Sequence, residues 1–144
     1  MPHEYAGHYS TKHPQGTPPN QAIAQALGQV AVDSRVTCTA AHAVAKKLGV
    51  APAEVGKTAD LLEIRVIECQ MGLFGYSPEK RIVKPAESVE SPLRERIEAA
   101  TNDGRITCAA CWKIAGDLGL AKMAVASACE AMGLKVKNCQ IGAF

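Results

Sequence analysis

Apolar residues recur at helical spacing at the start of two separate stretches. In QAIAQALGQVAV, Ile23, Ala26, Leu27 and Val30 share a face, and in SPLRERIEAATN, Leu93, Ile97 and Ala100 do. Ser91 with Pro92 gives the second predicted helix an N-cap and first-turn pair, and both helices end at polar turns, Asp33-Ser34 and Asn102-Asp103-Gly104. Short extended runs follow, Arg35-Val36-Thr37 and Arg105-Ile106-Thr107. Thr37 and Thr107 then stand at N-cap positions before CTAAHAVAKKLG and CAACWKIAGDLG, which favour helix, and Gly49 and Gly119 stop those helices. After a brief turn a further helix is predicted through Val55, Ala59 and Leu62, and again through Val125, Cys129 and Met132. IRVIECQ and LKVKNCQ read as short strands, closed by Gly72 with Phe74 and Gly142 with Phe144.

The two stretches are copies. Residues 33–74 align without a gap on 103–144, with 15 identities in 42 pairs, where near-average residue usage would give roughly two or three by chance. The order in each copy is helix, short strand, helix, tight turn, helix, strand, so function belongs to a module used twice.

The predicted organisation is a disordered tail over 1–20, a module over 21–76, a linker over 77–90 and a second module over 91–144. The tail holds four Pro, two Gly and His3, His8 and His13 at even spacing, with no apolar period. That spacing puts no two imidazoles on one helical face, so a metal site there is not favoured. The 77–90 segment carries two Pro and six charges that cancel. Each module is near the lower size limit for its own core, and with 47% apolar but only 4% aromatic residues that core must be built from small aliphatic side chains in closely packed helices. The fold class expected is mainly α with short β-strands.

A net charge of +2, from 16 basic and 14 acidic residues, gives no dense cationic face of the kind a strongly electrostatic nucleic-acid binder carries. No stretch is apolar and long enough to span a bilayer, and the first residues lack the pattern of a signal peptide, so a cytoplasmic location with no membrane partner is expected. In that setting the six Cys read as thiols, metal ligands or redox groups rather than structural disulfides.

Ala45, Gly49 and Val55, and again Ala115, Gly119 and Val125, resemble the helix-turn-helix family, in a winged-helix-like form. There the Ala lets two helices cross closely, the Gly takes the positive φ of the turn, and the aliphatic residue pins the second helix to the first. Val44, Leu48 and Val50, with Ile114, Leu118 and Leu120, complete the apolar set. GLFGY and GAF leave little room for a full wing. The resemblance implies that the second helix reads DNA, with outward positions Ala51, Ala53, Gly56, Lys57 and Asp60 in one module and Lys122, Met123, Ala126, Ser127 and Glu130 in the other. Small side chains and one Lys per helix make this a poor reading surface. Lys57, Lys122 and Ser127 are the candidate contacts, with Arg35 and Arg105 as phosphate anchors.

Cys38 and Cys69 recur as Cys108 and Cys139, and the second module adds Cys111 and Cys129. Cys acting as a small buried apolar residue is the simplest account. Yet Cys108-Ala-Ala-Cys111 opens a helix, where the dipole lowers a thiol pKa, and Cys108, Cys111, Cys129 and Cys139 together would suffice for zinc or an iron-sulfur cluster. Cys38 and Cys69, with His42 one turn after Cys38, are the corresponding candidates in the first module. The tails Cys69-Gln70-Met71-Gly72-Leu73-Phe74 and Cys139-Gln140-Ile141-Gly142-Ala143-Phe144 are similar to the end of a short helix-turn-helix domain found alongside molybdenum-cofactor and redox-enzyme proteins. That resemblance implies regulation or assembly of a metalloenzyme.

No Ser-His-Asp order, phosphate-cradling Gly loop or HExxH occurs, and Glu54, Asp60 and Glu63 read as solvated helix charges, so no catalytic residue is assigned. Two functions are expected from this sequence: a tandem DNA-binding transcriptional regulator, or a protein-interaction and accessory module of a metalloenzyme that carries metal on its Cys.

Overall fold

The computed structural model describes residues 8–144. Six helices carry it: α1 (Gln21–Val30), α2 (Cys38–Leu48), α3 (Pro52–Leu61), α4 (Leu93–Ala100), α5 (Cys108–Leu118) and α6 (Lys122–Ala131). Four three-residue strands complete it: β1 (Arg35–Thr37), β2 (Arg65–Ile67), β3 (Arg105–Thr107) and β4 (Lys135–Lys137). The protein is therefore mainly helical with a few short strands.

Local chemistry sets these boundaries as the sequence predicts. Asp33 and Ser34 both have positive φ, 52° and 59°, and close a tight turn in which Val32 and Arg35 exchange backbone hydrogen bonds of 2.9 and 3.0 Å. Asp103 and Gly104 repeat that turn. The Thr37 hydroxyl accepts from the Ala40 amide at 3.0 Å and the Thr107 hydroxyl from Ala110 at 3.1 Å, so both threonines cap their helices. Gly49 and Gly119 end them in the left-handed region at φ 65° and 67°. The Ser91–Pro92 pair differs from expectation. α4 starts one residue later, with Pro92 at the N-cap, and the Ser91 hydroxyl donates instead to the Glu95 carboxylate at 3.1 Å.

Each sheet is a parallel pair. Arg35 faces Arg65, Val36 faces Val66 and Thr37 faces Ile67; Arg105 faces Lys135, Ile106 faces Val136 and Thr107 faces Lys137. Two helices intervene between partner strands, and such a crossover brings the chain back in the same direction. A wing is an antiparallel hairpin; among the described residues each sheet has two parallel strands and none forms such a hairpin.

The chain forms two compact units whose boundaries differ from the repeat boundaries. Unit 1 is Met1–Cys69 with Gln140–Phe144, and unit 2 is Gln70–Cys139. The tail that follows each repeat thus belongs to the other repeat's unit, where an expectation based on chain order keeps 70–76 with the first module and 140–144 with the second.

In unit 1, Ile23, Leu27, Val36, Val55 and Ile141 are almost completely buried. Residues 8–20, expected to be a disordered tail, also belong to this unit as far as they are described. Tyr9–Lys12 form a 3-10 turn, Tyr9 is buried, and the Tyr9 and Ser10 amides donate to the Glu63 carboxylate at 2.9 and 2.8 Å. Unit 2 is built on Ile97, Ile106, Cys111, Val125 and Met71. Its 77–90 segment, expected to be a linker, contributes buried Val83 and Val89. The Ile82 and Val83 amides donate to the Gly72 carbonyl and the Ala86 amide to the Ser127 carbonyl. Two apolar side chains and satisfied backbone groups outweigh the two prolines that suggested a tether.

Candidate interaction surface

Pro52 and Val55 begin α3 with its buried side turned to α2, and Lys122 and Val125 do the same for α6 against α5. The opposite faces are the ones a helix-turn-helix protein would lay on DNA. Within unit 1 most of that face is occupied by the chain itself. Gly56 is buried beneath Ile141, so close that an added Cβ would coincide with the Ile141 carbonyl. One turn on, Asp60 receives His13 Nε2 at 2.8 Å and Lys12 Nζ at 3.1 Å, and Lys12 also donates to the Gly142 carbonyl at 3.0 Å. Lys57 is half-buried; Ala51 and Ala53 remain exposed.

Unit 2 repeats the arrangement with different residues. Gly72 lies close to Met123, Ala126 is buried, the Ser127 carbonyl is taken by Ala86, and Glu130 is ion-paired with Arg81. Lys122 lies over the Trp112 ring, its Nζ 4.4 Å from the centroid, a cation-π contact that holds the ammonium against the protein. Ala121 and Ala124 stay exposed. What each second helix leaves to solvent at its start is methyl groups, which carry no hydrogen-bonding readout of bases, and on α3 also the Glu54 carboxylate, which phosphates repel.

Arg35 and Arg105 are exposed on β1 and β3, away from the second helices in the chain order, while Lys57, Lys122 and Ser127 are half-buried on α3 and α6. The covering of these helices was missed, although one signal was available: Asp60 and Glu130 are aligned acids, and each repeat is preceded by a basic residue, Lys12 or Arg81, that pairs with one of them.

Cys38, Cys69, Cys108, Cys111 and Cys129 are buried and Cys139 is half-exposed; none forms a disulfide. Cys108 Sγ lies 3.9 Å from Met71 Sδ. Cys111, in α5, hydrogen-bonds Cys129, in α6; this bond and burial push the Cys111 thiol well above its ordinary pKa and leave Cys129 the more acidic of the two. The helix-dipole argument that would activate Cys111 is outweighed by its hydrogen bond with Cys129 and by the loss of water around it. Among the described residues no group of three or more His, Cys, Asp or Glu side chains is placed to hold a metal ion. His3 lies outside the described residues, and His13 is committed to Asp60. Among the described residues no helix is long and apolar enough to cross a membrane.

Burial raises the Glu63 pKa, but the Ser10 and Tyr9 amides and the Ser10 hydroxyl outweigh it, with help from His8, and the carboxyl stands below its usual value. A depressed carboxylate contributes stability above its unfolded pKa, about 4.3, that is lost as pH falls through the lower folded value. Acidification below about pH 4.3 is therefore expected to release the segment around Tyr9 before the helices unfold. Amide chemical shifts of Tyr9 and Ser10 followed by NMR check this, and Glu63→Gln should remove the acid-dependent step.

Comparison with protein-family models, with curated proteins and with solved structures finds no match to this chain.

Proposed function

We propose that this chain is a non-catalytic interaction or accessory module, built on two helix-turn-helix-like frames that pack the protein's own segments rather than read a DNA operator. The observation that carries this reading is the occupation of α3 by Ile141, Lys12 and His13 and of α6 by Ala86 and Arg81, where a regulator would keep both helices open. A partner protein is the better-supported ligand for unit 1. Its α1 has no charged residue, and Gln21, Ala22, Gln25, Gly28, Gln29 and Val30 are exposed along it, with Val32 beyond its end 71% exposed. The matching helix α4 instead carries Arg94, Glu95, Arg96 and Glu98, several of them ion-paired. The lack of charge on this face is in keeping with the depletion of charged residues at interface centres. The resemblance of the two tails to domains beside molybdenum and redox enzymes makes a metalloenzyme the class of partner to test.

The deciding experiment is selection from a random duplex pool with the full reduced protein at moderate salt. No enriched sequence is expected. Recovery of a defined site whose binding is lost in Lys57→Gln, Lys122→Gln or Ser127→Ala would restore the sequence-reading regulator and overturn this proposal.

A further inference from the structure

The two copies have diverged most sharply in charge at one place, the last turn and strand of each module. Residues 63–68, EIRVIE, carry two acids and one base; the aligned 133–138, GLKVKN, carry two bases and no acid. Glu63 has become Gly133, Ile67 has become Lys137 and Glu68 has become Asn138, so the segment moves from net −1 to net +2. The parallel register of β3 and β4 then sets Arg105 directly beside Lys135, and Lys137 beside Thr107. Arg105 and Lys135 are exposed and Lys137 is half-exposed.

Several other cations of unit 2 are engaged. Arg81 pairs with Glu130, Arg94 with Glu98, Arg96 and Lys113 share Asp117, and Lys122 lies on Trp112. Among the described residues Arg105, Lys135 and Lys137 take part in no ion pair. Asp103, exposed in the turn before Arg105, is the nearest acid along β3 and is common to both repeats as Asp33. Like charges side by side on a sheet oppose each other, and the cost is relieved when a polyanion binds across them.

We infer that the β3–β4 ribbon of unit 2 grips the phosphate backbone of a nucleic acid without reading its bases. This goes beyond the interaction reading, which concerns the second helices and α1. A phosphate backbone fits better than the alternatives. The outward positions of the ribbon, Arg105, Thr107, Lys135 and Lys137, offer no apolar or aromatic anchor of the kind a protein partner needs at an interface centre. Unit 1 keeps Ile67 at the same register and lacks the third cation. Cavities of 420 and 550 Å³ elsewhere are lined by residues other than these three. An open strip of cations suits a repeating charge, and its affinity comes from counterion release.

The test is fluorescence anisotropy of the full chain with two labelled duplexes of equal composition and shuffled sequence, titrated with salt. Both should bind alike, with a slope of log affinity on log salt of about −2.7, three contacts at about −0.9 each. Arg105→Gln, Lys135→Gln and Lys137→Gln should each make the slope shallower by about 0.9, whereas Lys57→Gln and Lys122→Gln should leave it unchanged. Circular dichroism of each variant confirms that it is folded. Lack of binding at low salt, or slopes indifferent to the three ribbon variants, would overturn the inference. Competition by polyglutamate as strong as by unlabelled duplex would assign the ribbon to acidic protein surfaces and also overturn it. A sequence preference that depends on Lys57 or Lys122 would instead sink the interaction reading alone.

Discussion

Gly56→Ala will destabilise the protein, against the usual direction of a glycine-to-alanine change in a helix. In an open helix interior alanine gains about 1 kcal/mol over glycine. Here the new Cβ would coincide with the Ile141 carbonyl, a backbone atom that cannot step aside as a flexible side chain does. The tail must lift from α3. Overpacking of this kind costs roughly 1–3 kcal/mol, and losing the burial of Ile141, now 2% exposed, about 1.5–3 more if it leaves entirely. A net loss of about 2 kcal/mol in urea unfolding is expected once the propensity gain is subtracted. The same substitution in a chain lacking 140–144 should reverse sign and stabilise by about 1 kcal/mol, because only the propensity term is left. The difference between backgrounds measures the contact directly, as a double-mutant cycle does. A stabilising Gly56→Ala in the full chain would mean that the tail does not rest on α3.

Removing Gln140–Phe144 alone is the second large effect. Unit 1 would lose the buried Ile141 side chain and the Lys12 bond to the Gly142 carbonyl, leaving the middle of α3 open to water. A destabilisation of about 3 kcal/mol follows from the apolar burial. Its location is the sharper result. Hydrogen exchange should show α3 amides losing protection while α6 amides, which belong to unit 2, keep theirs. Loss confined to α6 would mean that each tail closes its own repeat.

The elements were legible because local chemistry settles them. Thr37 and Thr107 cap, Gly49 and Gly119 take a left-handed turn, and Val55 and Val125 pin a second helix, whatever else the chain does. The candidate site was legible only as a set of residue types. Lys57, Lys122 and Ser127 were rightly placed on the second helices, but their half-burial depends on segments distant in the chain, such as Ile141 over Gly56 and Ala86 on Ser127. The cysteines show the same limit. The Cys108-Ala-Ala-Cys111 spacing suggests an activated thiol, whereas packing against Cys129 and exclusion of water make Cys111 harder to ionise.

Read by itself, the chain of residues determined the duplication, the order of helices and strands, the capped turns and the mainly helical class, since each depends on neighbours a few positions apart. Only the tertiary structure decided that the strands pair in parallel, that residues 8–13 and 77–90 pack as parts of their units, and that each Gln-X-Gly-X-Phe tail, after its Cys, belongs to the unit of the other repeat. The physical reason lies in the repeats. Because both modules present nearly the same apolar surface, periodicity says that a tail must be buried but not on which copy. That choice falls to chain geometry and to single contacts such as the missing Cβ at Gly56.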